Sequence, residues 1–451
     1  MTDTMIILII ILIGSLFLGM PVSSSLGFTA IMAILLFMEP ISLNRLASIA
    51  YTQGTSINQM VAPLFIVMAE FLARGGIATD IYDVLNRMMR KIKGGLAIST
   101  TLACTVFAAL CGSSPATAAS VGRISISQMI NRGYSPDFAT GTVAAGGSLG
   151  VMIPPSLAFV LYGIITETSI AKLFMAGLLP GIMISLMFCI SILIRVRLNP
   201  SLIDVSLKKE NQGADPVPEI EKPPTTALDS SSQNTSIKSG LKATIPSFAL
   251  ILIVLGTLYT GTATPTESAG YGAVGAIILV IFLGRMRKGI FIDALKASAR
   301  TSAMILFIMI FGLVLAHTIS HLGIAQNIAT AIVGSGTNRW VVMIMLIALW
   351  YIMGALMDPG SMVILTVPFI YPSLMQMGFD PIWIGVIATL CVEVGMLTPP
   401  VGLNLFVLRG ITDVSMGNII KGALPYVLVL TLAVAILCIF PGIALFLPSQ
   451  M

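Results

Sequence analysis

Two short polar stretches interrupt long apolar runs, and both have the chemistry of a cation site. One is Gly112-Ser113-Ser114-Pro115, and the other is Asp358-Pro359-Gly360-Ser361. Glycine and proline break a helix, which leaves backbone carbonyls without their usual N–H donors. Carbonyl, hydroxyl and carboxylate oxygens are the ligands that hard cations such as sodium prefer, about five or six to an ion. Each stretch therefore predicts part of a cation site, with Asp358 as the only formal charge within either.

Each polar stretch is accompanied by a second interrupted apolar run further along the chain. One run is broken at Gly150 and at Pro154-Pro155, and the other at Gly395 and at Pro399-Pro400. Glycine and proline at such points can also serve only for close packing or a kink. Because the interruptions occur in matching pairs, we favour a binding site.

These interruptions define a set of candidate ion and substrate ligands. In the first half the candidates are Ser113, Ser114, Pro115, Thr117, Gly147, Ser148, Gly150, Pro154 and Pro155. In the second half they are Asp358, Pro359, Gly360, Ser361, Glu393, Gly395, Thr398, Pro399 and Pro400. The half-helices that begin after Pro115 and Pro359 would direct their positive dipole ends toward a substrate carboxylate. We expect sodium at both polar stretches and no transition metal, because no third ligand accompanies the histidine pair His317 and His321.

Asp358 and Glu393 are the two acids among these candidates. An acid at membrane depth is costly and usually functional, although Asp358 could also serve as a helix cap. Glu393 stands 245 residues after Ser148. The sequence leaves three roles open for Glu393: an ion ligand, a proton site, or a residue that faces a partner.

The composition requires a membrane around these residues. Of the 451 residues, 56% are hydrophobic and only 10% are charged, with a mean hydropathy of +0.99. Soluble domains carry about 25% charged residues. Apolar runs recur at about the 20-residue length of a spanning helix. The chain is therefore predicted to be an all-α polytopic membrane protein. The net charge of +5 is spread over loops and forms no basic stripe, which argues against a nucleic-acid partner.

The two halves of the chain repeat one order of elements. Pro154-Pro155 and Pro399-Pro400 are 245 residues apart, and so are Pro180 and Pro425. The first repeat is predicted at 1–198, with a helical hairpin at 94–133 and a discontinuous helix at 138–163. The second is predicted at 244–451, with a hairpin at 340–371 and a discontinuous helix at 381–408. Between them, 199–243 is rich in proline and polar residues and is predicted to be a disordered cytoplasmic linker. An amphipathic piece at 287–299 and a separate helix at 300–317 are also predicted.

Basic residues decide between two interpretations of the hairpins. Segment 94–133 could be two spanning helices or a re-entrant hairpin that enters and leaves on one side. Basic residues flank both of its ends, whereas segment 340–371 has only Arg339 beside its start. The positive-inside rule then puts both ends of the first segment in the cytoplasm and both ends of the second outside. Spanning pairs would put the other basic clusters on conflicting sides, so we predict inverted repeats with re-entrant hairpins.

With these motifs, the sequence resembles the large membrane (permease) subunit of tripartite ATP-independent periplasmic (TRAP) transporters. The resemblance rests on Gly112-Ser113-Ser114-Pro115-Ala116-Thr117, on the run from Gly147 to Ser156, on Pro265-Thr266-Glu267-Ser268-Ala269, on Met357-Asp358, and on the run from Gly395 to Gly402. It covers almost the entire chain except the linker.

This resemblance implies an elevator-type secondary transporter of the bacterial inner membrane, driven by a sodium gradient. It implies a small four-helix membrane subunit and a periplasmic binding protein that delivers small organic acids, such as dicarboxylates or other carboxylates. No cofactor other than sodium is expected, and no enzymatic activity. A self-sufficient sodium–carboxylate symporter shares this hairpin architecture and stays open as an alternative. An intramembrane hydrolase with a serine nucleophile near 113–125 is a remote one, because no base lies near in the sequence.

Overall fold

The computed structural model describes residues 2–38, 43–89, 91–203, 237–324 and 336–451, together with 326, 327, 330 and 334. Within these residues the protein is all-α, with one isolated β-bridge between Tyr134 and Ile203. The helices are α1 (Thr2–Phe17), α2 (Val22–Phe37), α3 (Leu43–Thr55), α4 (Val61–Arg74), α5 (Ile77–Met89), α6 (Gly95–Cys111), α7 (Ser114–Ile130), α8 (Pro136–Met152), α9 (Leu157–Thr166), α10 (Ile170–Leu198), α11 (Ile237–Tyr259), α12 (Pro265–Phe282), α13 (Lys288–His321), α14 (Arg339–Leu356), α15 (Pro359–Gln376), α16 (Pro381–Met396), α17 (Leu403–Ile411), α18 (Met416–Ile439) and α19 (Gly442–Leu445).

The length and apolar surface of the described helices are typical of a protein that lies in a lipid bilayer. Six helical segments are long and apolar enough to cross a membrane, when α8 and α9 count as one, and a seventh is added if α4 and α5, bent by 62°, form one span. Large apolar side chains such as Leu252, Ile278 and Leu428 are exposed on the outside of the bundle. Such side chains are stable in contact with lipid. A helix also satisfies its own backbone N–H and C=O groups, as a membrane span must. The segment formed by α8 and α9 is mostly buried in protein, which places it at the centre.

Two elements differ from the sequence-based predictions. The amphipathic piece at 287–299 and the helix at 300–317 form one helix, α13, of 34 residues. The stretch contains no proline, so nothing forces a break between its interfacial and apolar parts. Helix α11 begins at Ile237, inside the predicted linker, and Ser135 N–H donates to the carbonyl of Leu202 at the linker's other end. Residues 204–236 of the predicted linker lie outside the described residues.

The interrupted segments break where the sequence places glycine and proline. Helices α6 and α7 are separated by Gly112, whose φ of +65° ends α6 in the left-handed region that glycine favours. Helices α14 and α15 meet at Asp358, and Pro359 takes the first turn of α15. The Pro154–Pro155 bond between α8 and α9 and the Pro399–Pro400 bond between α16 and α17 are both cis.

The helices around these breaks form one intertwined central group. Helices α6 to α10 of the first half pack with α14 to α18 of the second half. Helix α9 lies against α15, and α17 lies against α7, so each short half-helix packs on the interrupted segment of the other half. An outer group forms beside them, in which α4 packs against α12 and α13, and α13 packs against α2.

Helices α8 and α18 make the closest contact between the two halves. A Cβ on Gly141 would stand 2.1 Å from the carbonyl oxygen of Gly422, and a Cβ on Gly422 would stand 1.8 Å from that of Asp137. Only glycine lets two helix backbones touch at this distance. The hydroxyls of Thr142 and Tyr426, 2.8 Å apart, join the same two helices by a hydrogen bond.

Candidate ion and substrate site

The first tip, the turn between α6 and α7, presses against the end of α8. A Cβ on Gly150 would stand 2.6 Å from the carbonyl oxygen of Ser113, and a Cβ on Gly112 would stand 2.4 Å from that of Pro155. The Gly112 carbonyl also accepts a hydrogen bond from Leu157 N–H, at 3.5 Å. The glycines predicted from sequence therefore allow the tip backbone to lie directly on the break between α8 and α9.

Two carbonyl oxygens next to this contact lack the donor that a regular helix would give them. Helix α8 ends at Met152, and the residues four positions beyond Gly150 and Val151 are Pro154 and Pro155. Proline has no N–H, so these two carbonyls receive no hydrogen bond from the next turn. The first break thus brings unpaired carbonyl oxygens beside the hydroxyls of the tip, which is the donor set that a sodium ion requires.

The second tip, at Asp358, presses against the end of α16 in the corresponding way. A Cβ on Gly395 would stand 2.5 Å from the carbonyl carbon of Gly354, and Gly402 N–H donates to the carbonyl of Ala355 at 3.0 Å. A Cβ on Gly360 would stand 2.8 Å from Leu161 of α9. The tip of the second half is therefore held by both discontinuous helices.

The side chains at the second tip bond within it. The carboxylate of Asp358 accepts from Ser361 N–H at 3.0 Å and from the Ser361 hydroxyl, so it caps α15. The Thr398 hydroxyl donates to the carbonyl of Val394 at 2.7 Å. The capping role that the sequence left open for Asp358 is thus present in the structure, and the half-buried carboxylate keeps lone pairs that could face a cation.

The two breaks differ in exposure. Pro154 and Pro155 are buried at the first break, whereas Pro399 and Pro400 are exposed at the second. Ser113 is half-buried and Ser114 fully buried. The first break is therefore enclosed by protein, whereas the prolines of the second lie on the protein surface.

Glu393 lies at the first tip, although it belongs to the second half. Its Oε1 accepts a hydrogen bond from the Ser114 hydroxyl at 2.6 Å, and both residues are fully buried. Its Oε2 has no hydrogen-bond partner. The expectation that Asp358 supplies the charge at the tips is therefore incomplete. Ser148, at the corresponding place in the first half, donates only to Ala145 of its own helix, at 2.6 Å.

Sequence reasoning missed Asn404 and Thr389, and placed Thr117 in the site without foreseeing that it lacks a partner. Asn404 lies in the first turn of α17, is fully buried, and has no partner for either amide atom. The hydroxyls of Thr117 and Thr389 are likewise buried and unpartnered. Native proteins rarely leave buried polar groups without hydrogen bonds, so these atoms mark places for water, ion or substrate. The signal in the sequence was an asparagine two residues after the Pro399–Gly402 turn.

The chain matches the model of the family described as "Tripartite ATP-independent periplasmic transporter, DctM component" over residues 9–443. It is 35% identical to the C4-dicarboxylate TRAP transporter large permease protein of Pseudomonas aeruginosa, with 94% of each chain covered. It is 31% identical to an isethionate TRAP transporter permease protein of Oleidesulfovibrio alaskensis, with 96% of this chain and 64% of the relative covered.

Among solved structures, the YdaH transporter of Alcanivorax borkumensis has a similar fold. The TM-score is 0.59 at 17% identity, and the match covers 91% of this chain and 89% of that one. At this identity the likeness concerns the fold alone. The polytopic all-α architecture is therefore one that a solved transporter also uses.

Proposed function

The chain belongs to the DctM family of TRAP transporter large permeases, and from that premise we propose that it imports small organic acids across the bacterial inner membrane by coupling to a sodium gradient. It is a multi-pass membrane transport subunit and not an enzyme. The proposal includes delivery of the substrate by a periplasmic binding protein and elevator-type motion.

The observation that carries the proposal is the pair of breaks, each with a hairpin tip pressed on it. At the first, Gly150, whose carbonyl faces a proline four residues on, packs at the end of α8 against the Ser113–Ser114 backbone. At the second, Asp358 and Ser361 stand at a tip held against Gly395. Broken helices are tolerated at membrane depth where they line a cavity or bind something. Sodium would be held by these oxygens, and it would supply the driving force for uphill uptake.

The proposed substrate class is C4-dicarboxylates. The relative with 35% identity is named for that class, while the isethionate relative shows that the family also has a sulfonate carrier. Helices α7 and α15 both begin at the tips, with a proline in the first turn. The N-terminus of α7 has no side-chain cap, so its N–H groups and positive dipole end favour an anionic group such as a carboxylate, whereas that of α15 is already capped by Asp358.

Two partners are proposed on the basis of the family: a small membrane subunit and a periplasmic binding protein. The isethionate relative is longer than this chain, which covers 64% of it, and its name, DctMQ, joins two components. We expect the corresponding small component to accompany this chain as a second four-helix subunit in the membrane.

Reconstituted uptake tests the proposal. The purified chain, its small subunit and its binding protein are placed with liposomes, and labelled succinate uptake is measured with an inward sodium gradient. An equal potassium gradient is the control. We expect uptake that requires sodium and the binding protein. Uptake at full rate by this chain alone would support the self-sufficient symporter instead, and equal uptake in potassium would overturn sodium coupling.

A further inference from the structure

We propose that Glu393 is a positioning residue for the sodium ion at the first tip, which it serves from the opposite half of the chain. Its Oε1 accepts the hydrogen bond of the Ser114 hydroxyl, which leaves the lone pairs of the serine oxygen free for the cation, and an ionised Glu393 would add negative charge beside the site. This inference rests on the sodium coupling proposed above.

The position of Ser114 explains why it needs such a partner. Serine and threonine inside helices usually donate to the carbonyl four residues earlier, as Ser99 does to Gly95 at 2.7 Å and Ser125 to Val121 at 2.9 Å. Ser114 is the first residue of α7, so the preceding turn is missing. Its hydroxyl donates a hydrogen bond instead to Oε1 of Glu393, which lies 279 residues away in sequence.

A hydroxyl bound to a cation must direct its proton elsewhere. It carries one proton and two lone pairs, and a cation attracts only the lone pairs. With the Ser114 O–H directed at Oε1 of Glu393, both lone pairs of the Ser114 oxygen stay free to accept from or bind another partner. Second-shell acceptors of this kind hold first-shell ligands in the orientation that binding needs.

The charge of Glu393 gives a second reason. Both described ion pairs, Arg74–Glu70 and Arg285–Asp80, lie elsewhere, and no basic side chain among the described residues is paired with Glu393. A fully buried carboxylate with one hydroxyl donor is costly unless it binds a proton or an opposite charge lies near. The unpartnered Oε2 shows that the protein itself does not complete this group. A sodium ion among the tip oxygens would offset the charge.

Sodium-dependent thermal stability of the purified protein tests this inference without measuring transport. The unfolding midpoint is followed against sodium chloride, with choline chloride holding ionic strength constant. Glu393→Gln keeps an oxygen that can accept from Ser114 but removes the charge. Glu70→Gln, which removes a charge from the half-exposed pair with Arg74, is the matched control.

We expect Glu393→Gln to raise the half-saturating sodium concentration by about tenfold, within the usual range of coupling between neighbouring sites. Ser114→Ala should raise it less, and the double variant should resemble Glu393→Gln, because both residues act on one ion. Glu70→Gln should leave it unchanged. A wild-type sodium response in folded Glu393→Gln, or in Ser114→Ala should Glu393→Gln fail to fold, would overturn the inference alone. A wild-type protein that does not respond to sodium would overturn both this inference and the sodium coupling.

Discussion

The guanidinium of Arg285 binds the carboxylate of Asp80 across 205 residues of sequence, with Nη2 and Oδ1 2.9 Å apart. Its Nη1 also donates to the Gly75 carbonyl, at 2.9 Å, beside the bend between α4 and α5. A planar guanidinium suits this arrangement, because it donates to several acceptors in fixed directions. The end of α12 thus fixes the bend in the first half.

Arg285→Leu should destabilise the protein by about 1–3 kcal/mol, because it leaves the mostly buried Asp80 carboxylate and a backbone carbonyl without their donor. Arg285→Lys should recover only part, since an ammonium does not reproduce the fork. Thermal unfolding in detergent measures both. Arg74→Leu is the control: its pair with Glu70 is more exposed and should matter by at most about 1 kcal/mol. Equal losses of stability in Arg285→Leu and Arg74→Leu would contradict a stabilising role for the contacts that Arg285 makes with Asp80 and Gly75.

Asp358→Asn should weaken the sodium dependence of uptake while leaving the unfolding midpoint nearly unchanged. Asparagine caps helices about as well as aspartate, so the change removes charge but keeps the cap. Asp358→Ala should lose both sodium dependence and about 1 kcal/mol of stability.

Asp380→Asn is the matched control for this prediction. Asp380 caps α16 in the same way, accepting from Ile382 N–H at 2.8 Å, but it lies away from both tips. Uptake against sodium concentration is measured for all three variants. If Asp380→Asn and Asp358→Asn shift the curve equally, or neither does, Asp358 is a cap and not an ion ligand.

Asn404→Leu should abolish uptake without lowering stability. The native amide is buried with no partner, so an apolar side chain of similar size removes an unmet polar group worth about 1–3 kcal/mol. The unfolding midpoint without substrate should therefore stay level or rise. Asn86→Leu is the comparison: its amide donates to the Gln128 side chain at 3.4 Å, so losing it should lower the unfolding midpoint. A large loss of stability in Asn404→Leu, or unimpaired uptake, would remove Asn404 from the site.

Gly150→Ala should impair uptake at least as strongly as any ligand change, because its Cβ would stand 2.6 Å from the Ser113 carbonyl oxygen. Either α8 or the first tip must then shift, which moves the proposed carbonyl ligands. Gly410→Ala is the control, since nothing lies within 4 Å of its Cβ, and alanine in a helix stabilises by about 1 kcal/mol. Initial uptake rates are measured for both variants. Equal rates in Gly150→Ala and Gly410→Ala would mean that the first tip is not seated on α8 during transport.

The breaks could be placed from the sequence because their causes are local. Gly112 and the two Pro-Pro pairs all disfavour a continuing helix, the pairs by removing two successive N–H donors, and the structure interrupts its helices at all three. The continuous α13 was missed because a change from amphipathic to apolar character suggested a boundary that no breaking residue enforces. The side of the membrane that each tip faces stays a prediction from the basic residues.

The partners at the site could not be derived in the same way. The bond between Ser114 and Glu393 depends on how α7 and α16 pack, and nothing local in either sequence specifies it. Repeat symmetry was a poor guide here, because the corresponding Ser148 bonds only within its own helix. Asn404 was overlooked for a related reason: its missing partners become visible only once its burial is known.

The backbone contact between Gly141 and Gly422 has a mechanical consequence. Two helices that meet without intervening side chains have no deformable layer between them, so we expect α8 and α18 to move as a single body. The first tip is seated on α8 of that body, and the second on α16, which packs against both α8 and α18. Both tips would then be displaced in the same step. Under the proposed elevator-type motion, relative movement would take place at the contacts with the outer group, such as those of α4 with α6 and of α13 with α15. Ions and substrate held at the tips would therefore cross the membrane together.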